Sequence, residues 1–198
     1  MLRPQRPPYS LLDLGPRYFT LLDCIYLRTD FHLLNPRGLK LKCSFFQSTA
    51  GSETCVVYCH GNCGNRLDAM EVLELVLSVG MSVCAFDFAG SGQSEGECVG
   101  FGHFEKEDIR AVVEHLRRAR GISEVVLWGR SMGAVAALLY ASGRADIKAV
   151  VADSPFLSMR ALLVDIINSY IRLPSFLSSF LVSRLQAAVK QQAGFDFR

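Results

Sequence analysis

The segment from Val125 to Gly133 constrains the fold of this chain more than any other. An apolar run rich in β-branched residues stops at a Gly-x-Ser-x-Gly sequence, after which apolar residues recur at helical spacing. A strand that turns directly into a helix at this sequence lifts the hydroxyl group of Ser131 clear of the backbone. The turn brings strand and helix so close that Gly129 and Gly133 are required. The segment predicts a nucleophilic serine, with a glycine-rich turn of another α/β protein as the alternative.

Segments typical of strands and helices alternate along most of the chain. Two strands joined by a turn at residues 35–38 predict an antiparallel hairpin over residues 26–34 and 39–47. Short apolar runs at residues 54–58, 81–88, 125–128 and 147–152 predict buried strands, and helical spacing of apolar residues predicts helices at 65–79 and 104–120. This alternation predicts an α/β fold, with a mostly parallel sheet covered by helices on both faces.

The length of 198 residues, half of them hydrophobic, predicts one domain with a substantial core. Residues 1–20 hold most of the prolines and are predicted to form an extended leader before a domain of residues 21–198. Two helices are predicted within residues 157–190. They either pack on the sheet or form a cap over Ser131, and the sequence leaves both interpretations open.

Composition excludes several classes of partner. The net charge of +2 is too small to indicate a nucleic-acid partner. The most apolar region, residues 161–185, is interrupted by Asp165, Arg172 and Pro174, so no transmembrane segment is predicted, although peripheral membrane contact stays open. Seven cysteines, an odd number, and no signal peptide favour a reducing, cytoplasmic location.

Two loops have features that could indicate a cofactor, but neither pattern is complete. Cys59-His60 and Cys63 are not followed by a second pair of ligands at zinc spacing, so no metal is predicted. Asp87, Gly90 and Gly92 form a glycine-rich loop without the lysine of a phosphate-binding loop. We therefore expect no cofactor, and we expect the glycine-rich loop to border a substrate pocket.

Three loops with unusual residues, 60–64, 87–94 and 129–133, follow predicted parallel strands and should meet at one edge of the sheet. Acyl transfer through a serine requires N–H groups that stabilise the oxyanion. We assign this role to the backbone N–H groups of Met132 and Asn62, with Gly61 in the same loop. His60 precedes the turn and is expected to stabilise the loop rather than to act as the general base.

Four ordered motifs carry a resemblance to a known family. They are Cys59-His60-Gly61-Asn62, Phe86-Asp87-Phe88-Ala89-Gly90-Ser91-Gly92-Gln93-Ser94, Trp128-Gly129-Arg130-Ser131-Met132-Gly133 and Asp153-Ser154-Pro155-Phe156. With these motifs the chain resembles the α/β-hydrolase superfamily, in the branch of serine aminopeptidase S33-like or Bem46-like hydrolases. The resemblance implies a hydrolase of carboxylic ester, thioester or peptide bonds that forms an acyl-enzyme at Ser131, with a small-molecule, acyl or peptidyl substrate.

The same resemblance implies a triad acid after the seventh strand and a histidine after the eighth, and the sequence has no counterpart for these last two strands. No histidine follows Ser131. Asp153 is either a substitute acid or an aspartate that caps a loop or helix. We therefore expect the N-terminal two-thirds of a serine hydrolase that is inactive by itself, because a serine hydroxyl without a base is a weak nucleophile. The alternative is a non-catalytic binding module that keeps the pocket without turnover.

Overall fold

The structure is a computed structural model that describes residues 3–162, 164 and 182–184. The chain divides into two compact units, one of residues 2–155 and one that comprises residues 156–198 and residue 1. The sheet and the α-helices named below belong to the first unit. In the second unit, residues 159–162, 164 and 182–184 are helical. Residues 157 and 158, where the first helix was predicted to begin, are not helical. The remainder of the two helices predicted within residues 157–190, and with it their role as a cap, lies outside the described residues.

One mixed sheet organises the first unit. Its strands are β1 (Tyr18–Leu21), β2 (Cys24–Leu34), β3 (Lys40–Ser48), β4 (Thr54–Cys59), β5 (Ser82–Phe86), β6 (Glu124–Arg130) and β7 (Ile147–Asp153). They lie in the order β1-β2-β3-β5-β4-β6-β7. The pairs among β1, β2, β3 and β5 are antiparallel, whereas β5, β4, β6 and β7 run parallel to one another. The predicted hairpin is confirmed as β2 and β3, and the parallel strands carry the predicted site.

Helices cover both faces of the sheet, as predicted. They are α1 (Met70–Ser78), α2 (Glu105–Arg120) and α3 (Met132–Ala141). Residues of α1 join a buried cluster on one face, and residues of α2 and α3 join a second cluster on the other face. The apolar stripe predicted for α2 is buried and consists of Ile109, Val112, Val113 and Leu116. The arrangement is the α/β-hydrolase fold expected from the sequence.

The leader predicted for residues 1–20 is extended only in part. A single 3-10 turn forms at Leu11–Leu14, capped by the Ser10 side chain, and residues 18–21 form β1. The strand β1 is too short for an alternation of apolar residues to predict it from the sequence. Pairing with β2 places the ring of Phe19 against that of Tyr26, with centroids 5.6 Å apart. This contact explains why the end of the leader joins the sheet.

The helix predicted at residues 65–79 begins later than expected. Residues Arg66–Ala69 form a 3-10 turn whose N-cap, Asn65, accepts a hydrogen bond from the Leu67 N–H, and α1 starts only at Met70. On the inner face of α1, Val76 and Leu77 are buried and Leu73 is partly buried. No helix among the described residues is both long and apolar enough to cross a membrane.

The carboxyl ends of the parallel strands bring the predicted loops together. Cys59, the last residue of β4, pairs with Gly129, and Arg130 pairs with Asp153 at the end of β7. Among the described strands, β7 is the edge strand on the parallel side of the sheet, and most of its residues are exposed. The edge formed by β4, β6 and β7 therefore supports the loops after these three strands, where ligands of open α/β sheets bind.

Candidate active site

Ser131 lies at a sharp turn between β6 and α3. Its backbone has φ 50° and ψ −114°, a region that non-glycine residues rarely adopt. The turn is held from outside, because the Ser131 N–H donates to the carbonyl oxygen of Asp153 at 2.8 Å and the Ser131 carbonyl accepts from the Val135 N–H at 3.1 Å. A strained backbone that is fixed by its neighbours is the geometry of a serine presented at the end of a strand.

Gly129 and Gly133 allow the turn to be this tight. A Cβ atom at Gly129 would lie 2.5 Å from the carbonyl oxygen of Gly133 and 2.6 Å from the Cα of Ala134. A Cβ atom at Gly133 would overlap the carbonyl oxygen of Cys59 and lie 2.6 Å from that of His60. All of these neighbours are backbone atoms and cannot move aside. Gly133 therefore places the start of α3 directly against the end of β4 and its loop.

The loop after β4 faces Ser131 across an open cleft of about 360 Å³. Met132 is the first residue of α3, so its N–H group has no acceptor within the helix. The predicted partner N–H belongs to Asn62, on the other side of the cleft. The cleft is lined by Gly61, Asn62, Cys63, Gly64, Asp68, Arg130 and Ser131. Both predicted donors thus belong to segments that border one cavity together with the serine.

His60 is buried beneath the loop, and both of its ring nitrogens have partners. Nδ1 lies 2.8 Å from the Gly61 carbonyl oxygen, to which it can donate, and Nε2 accepts from the Phe88 N–H at 3.0 Å. Burial lowers the pKa of His60 below its usual value, so the ring is neutral in this environment. A histidine with both nitrogens occupied in this way fixes the loop and is not available to accept a proton from Ser131.

The glycine-rich loop lies behind the cleft rather than along its border. Asp87 is fully buried and accepts hydrogen bonds from the Arg66 N–H at 2.8 Å and the Gln93 N–H at 2.8 Å. Gly92, at φ 47°, allows the close approach, because a Cβ there would lie 2.5 Å from a carboxylate oxygen of Asp87. Gly90, at φ 89°, leaves no room for a side chain beside the backbone of residue 98. The glycine-rich loop, which was predicted to border the pocket, instead supports it from behind.

Asp153 is close to Ser131 through its backbone but has no histidine partner among the described residues. One oxygen of its carboxylate accepts from the Ser154 hydroxyl at 2.7 Å, and the other lies 3.7 Å from Nε of Arg130. Arg130 also forms an ion pair with Glu71 at 3.1 Å. The interpretation of Asp153 as a loop-capping residue agrees with these contacts, whereas a role as triad acid would require a histidine beside it.

Sequence reasoning missed two residues of the site. Asp68 lines the cleft, and Arg66, which is only 2% exposed, fixes the end of the loop. Burial raises the pKa of Asp68. The spacing of these residues carries no signal, because a 3-10 turn, and not the predicted helix, brings them to the cleft. In the part of the chain that the structure describes, no group of three or more His, Cys, Asp or Glu residues could hold a metal ion.

Comparisons with known proteins identify the family of the chain. The family described as serine aminopeptidase, S33, matches residues 51–196. An uncharacterised Bacillus subtilis protein, YqkD, is 35% identical over 154 residues, which cover 75% of this chain and 50% of that protein. Human monoglyceride lipase is 30% identical over 115 residues, covering 57% of this chain and 38% of the lipase. The chain thus spans half or less of the length of these curated relatives.

Solved structures show the same fold. An esterase from Pyrococcus furiosus superposes with a TM-score of 0.72 at 27% sequence identity, covering 91% of this chain and 67% of the esterase. An acetyl xylan esterase from a Thermoanaerobacterium species superposes with a TM-score of 0.59 at 19% identity, covering 83% of this chain and 63% of the esterase. Together with the family match, these likenesses identify the chain as a member of the serine aminopeptidase S33 family of α/β-hydrolases.

Proposed function

We propose that this chain carries the nucleophile and the oxyanion hole of a hydrolase that cleaves carboxylic ester, thioester or peptide bonds. The observation that carries the proposal is the turn at Ser131, with φ 50° between two glycines that no larger residue could replace. The named relatives, an esterase and a monoglyceride lipase, make carboxylic esters the first substrates to test. We retain this assignment of Ser131, Asn62 and Met132 as the basis of the mechanism.

In the proposed reaction, Oγ of Ser131 attacks the carbonyl carbon of the substrate and loses its proton to a base. The carbonyl oxygen becomes an oxyanion, which accepts hydrogen bonds from the N–H groups of Met132 and Asn62. As this intermediate collapses, the bond to the leaving group breaks, the protonated base gives its proton to that group, and an alcohol, thiol or amine departs while the acyl group stays on Ser131. Attack by water through a second tetrahedral intermediate then releases the carboxylic acid and restores the serine.

The step that needs help is the removal of the serine proton. The four histidines are His32, His60, His103 and His115, and none of them follows Ser131. Within the described residues no hydrogen bond joins the Ser131 hydroxyl to a histidine, and His60 has both nitrogens occupied. We therefore propose that these 198 residues, assayed by themselves, hold an oriented but unactivated serine. The proposed oxyanion hole would still accelerate acylation of Ser131 once a base is supplied from solution.

Added imidazole can test this proposal, because it supplies the base from solution. We expect wild-type protein and Ser131→Ala to hydrolyse p-nitrophenyl butyrate at equal rates without imidazole. With imidazole, the wild type should exceed the variant, after subtraction of the reaction with imidazole alone. A difference that depends on Ser131 without imidazole would show that the chain contains its own base. Equal rates in both conditions, with both proteins folded, would contradict the nucleophilic role of Ser131.

A binding module without turnover is the second candidate function. It is favoured by the same engagement of His60, because both ring nitrogens of this histidine already have partners and it is not free to activate Ser131. In this case the cleft would bind an ester or acid without acylation. Equilibrium binding of a non-hydrolysable ester analogue to the wild type, unchanged in Ser131→Ala, together with equal ester hydrolysis in the presence of imidazole, would favour this function over hydrolysis.

A further inference from the structure

The leader lies against the glycine-rich loop through directed hydrogen bonds. The guanidinium group of Arg6 donates to three carbonyl groups of this loop, those of Gly90 at 3.0 Å, Ser94 at 3.0 Å and Gly96. Three residues further along, the Tyr9 carbonyl oxygen accepts from Nε2 of Gln93 at 2.8 Å. These contacts join residues more than 80 positions apart in the chain. They fix the position of the Tyr9 side chain.

The hydroxyl group of Tyr9 connects two buried charges that do not bond to each other directly. It donates to Oδ2 of Asp87 at 2.5 Å and accepts from Nε of Arg66 at 2.7 Å. Nε of Arg66 and Oδ2 of Asp87 are 4.0 Å apart, which is too far for a hydrogen bond. Burial, followed by the charge of Asp87, raises the pKa of Tyr9, so the hydroxyl group keeps the proton that it donates.

Asp87 and its neighbour Phe88 hold both ends of the loop after β4. At the far end, Oδ1 of Asp87 accepts from the Arg66 N–H at 2.8 Å. At the near end, the Phe88 N–H donates to His60, whose other nitrogen contacts Gly61. Between these two ends lie Asn62, Cys63 and Gly64, which line the cleft. A shift of Asp87 would therefore be transmitted to the loop that carries the proposed oxyanion donor.

Loss of the Tyr9 hydroxyl would leave this support incomplete. Arg66 would keep the Ser44 hydroxyl at 3.1 Å and the Gln93 side-chain oxygen at 2.9 Å, but its Nε would have no acceptor. Asp87 would lose its one side-chain hydroxyl donor while staying fully buried. An unsatisfied buried polar group next to a charge is unfavourable, which favours a rearrangement of the Arg66–Asp87 pair.

We propose that Tyr9 is a positioning residue for the oxyanion loop, acting through Asp87 and Arg66. In this arrangement the leader completes the set of hydrogen bonds that holds the loop carrying Asn62 at the cleft. The inference rests on the proposed function only in naming the loop as part of an oxyanion hole. The mechanical link itself depends on the contacts of Tyr9 alone and can be measured without activity.

Hydrogen exchange of individual amides tests the link directly. Tyr9→Phe removes only the hydroxyl group and keeps the ring, which lies 5.4 Å from the Arg66 guanidinium carbon. We expect the amides of Arg66 and Phe88, which donate to Asp87 and His60, to exchange at least about tenfold faster in this variant. Amides of β6 should be unchanged. Tyr18→Phe, at a tyrosine that is 66% exposed in β1, is the matched control and should alter neither set.

A role in overall stability alone would give a different result. Unchanged exchange at Arg66 and Phe88, or an equal increase throughout the sheet including β6, would overturn the proposal. If Tyr9→Phe does not fold, Arg6→Gln weakens the attachment of the leader without removing a buried group, and the same local increase is expected. An unchanged pattern in Arg6→Gln would then contradict the inference.

Ester hydrolysis in the presence of imidazole provides a second readout that separates the two proposals. Oxyanion donors act on the transition state, so Tyr9→Phe should lower the Ser131-dependent maximal rate several-fold and leave the half-saturating ester concentration unchanged. If the wild type itself shows no Ser131-dependent rate, the proposed function fails, and the exchange of Arg66 and Phe88 still decides the role of Tyr9. A fall in affinity with an unchanged maximal rate would overturn the positioning role.

Discussion

Gly133 lies so close to the end of β4 that there is no room for a Cβ atom on this residue. Its neighbours are the carbonyl groups of Cys59 and His60, so the close approach of α3 to the loop depends on this single residue. Both glycines of the turn were predicted from the sequence, because the Gly-x-Ser-x-Gly pattern contains them within two residues of the serine. The supporting role of Arg66 was not predictable, since its partners are 21 and 57 positions away.

At the scale of the residue, Gly133→Ala should be strongly destabilising. The added methyl group meets backbone atoms that cannot move aside, so we expect the free energy of unfolding to fall by about 3 kcal/mol. Gly61→Ala is the control, because its Cβ would lie at an ordinary 3.5 Å from the Arg130 carbonyl oxygen. Denaturant unfolding of both variants measures the difference. Equal losses of stability would show that α3 does not approach the loop as closely as described.

His60 makes the stability of the protein depend on pH. Burial lowers its pKa in the folded chain, although the Gly61 carbonyl and the carboxylates of Asp87, Asp68 and Asp108 act in the opposite direction. The unfolded chain therefore binds more protons as the pH falls through about 6.5, and the stabilising contribution of neutral His60 is lost. Between pH 6.5 and 5.5, the free energy of unfolding of the wild type should fall by more than that of His60→Gln, by at most about 1 kcal/mol. If the unfolding free energies of the wild type and the variant changed equally over this range, the result would contradict a neutral His60 in the folded chain.

At the scale of the element, the sequence predicted the central strands and α2 well, because long apolar periods reflect burial. It predicted the leader and the start of α1 less well. The strand β1 is short, and its place in the sheet depends on Phe19 packing against Tyr26 of the next strand. The first turn of the predicted helix is a 3-10 turn capped by Asn65. Its Arg66 N–H donates a hydrogen bond to Asp87, which belongs to a separate loop. Neither contact leaves a periodic signal.

The first turn of α2 is joined to two other segments by Asp108. Its carboxylate accepts from the Asn35 side chain at 2.7 Å, in the turn between β2 and β3, and from the Ala89 N–H at 2.9 Å, in the glycine-rich loop. Burial raises the pKa of Asp108 to about 6 in spite of these donors. The Asp108 carboxylate therefore connects three segments of the chain, although burial removes it from water.

The raised pKa of Asp108 predicts a contribution to stability that falls as the pH rises. Between about pH 4 and pH 6 the folded chain keeps a proton that the unfolded chain has lost, so the free energy of unfolding decreases with pH over this window. The stability difference between wild type and Asp108→Asn should shrink by about 2 kcal/mol from pH 4 to pH 6. Unfolding titrations at several pH values measure it, and a difference that grows with pH would contradict the assigned shift.

At the scale of the whole molecule, the sheet gives each loop its place. The sequence could predict that three loops follow parallel strands, but not the order in which the strands lie, since β5 sits between β3 and β4. That order places the loop after β4 beside Ser131 and the glycine-rich loop behind it. The attachment of the leader through Tyr9 was also beyond prediction, because it joins distant residues that share no local pattern.

The central claim is that Ser131 is a nucleophile oriented toward an oxyanion hole. The most direct measurement is mass-spectrometric mapping of the adduct formed with a fluorophosphonate in the presence of imidazole. We predict a single adduct on the peptide that contains Ser131, absent from Ser131→Ala. An adduct on another residue, such as the exposed Cys63 of the same cleft, or no adduct on a folded wild-type chain, would contradict the claim.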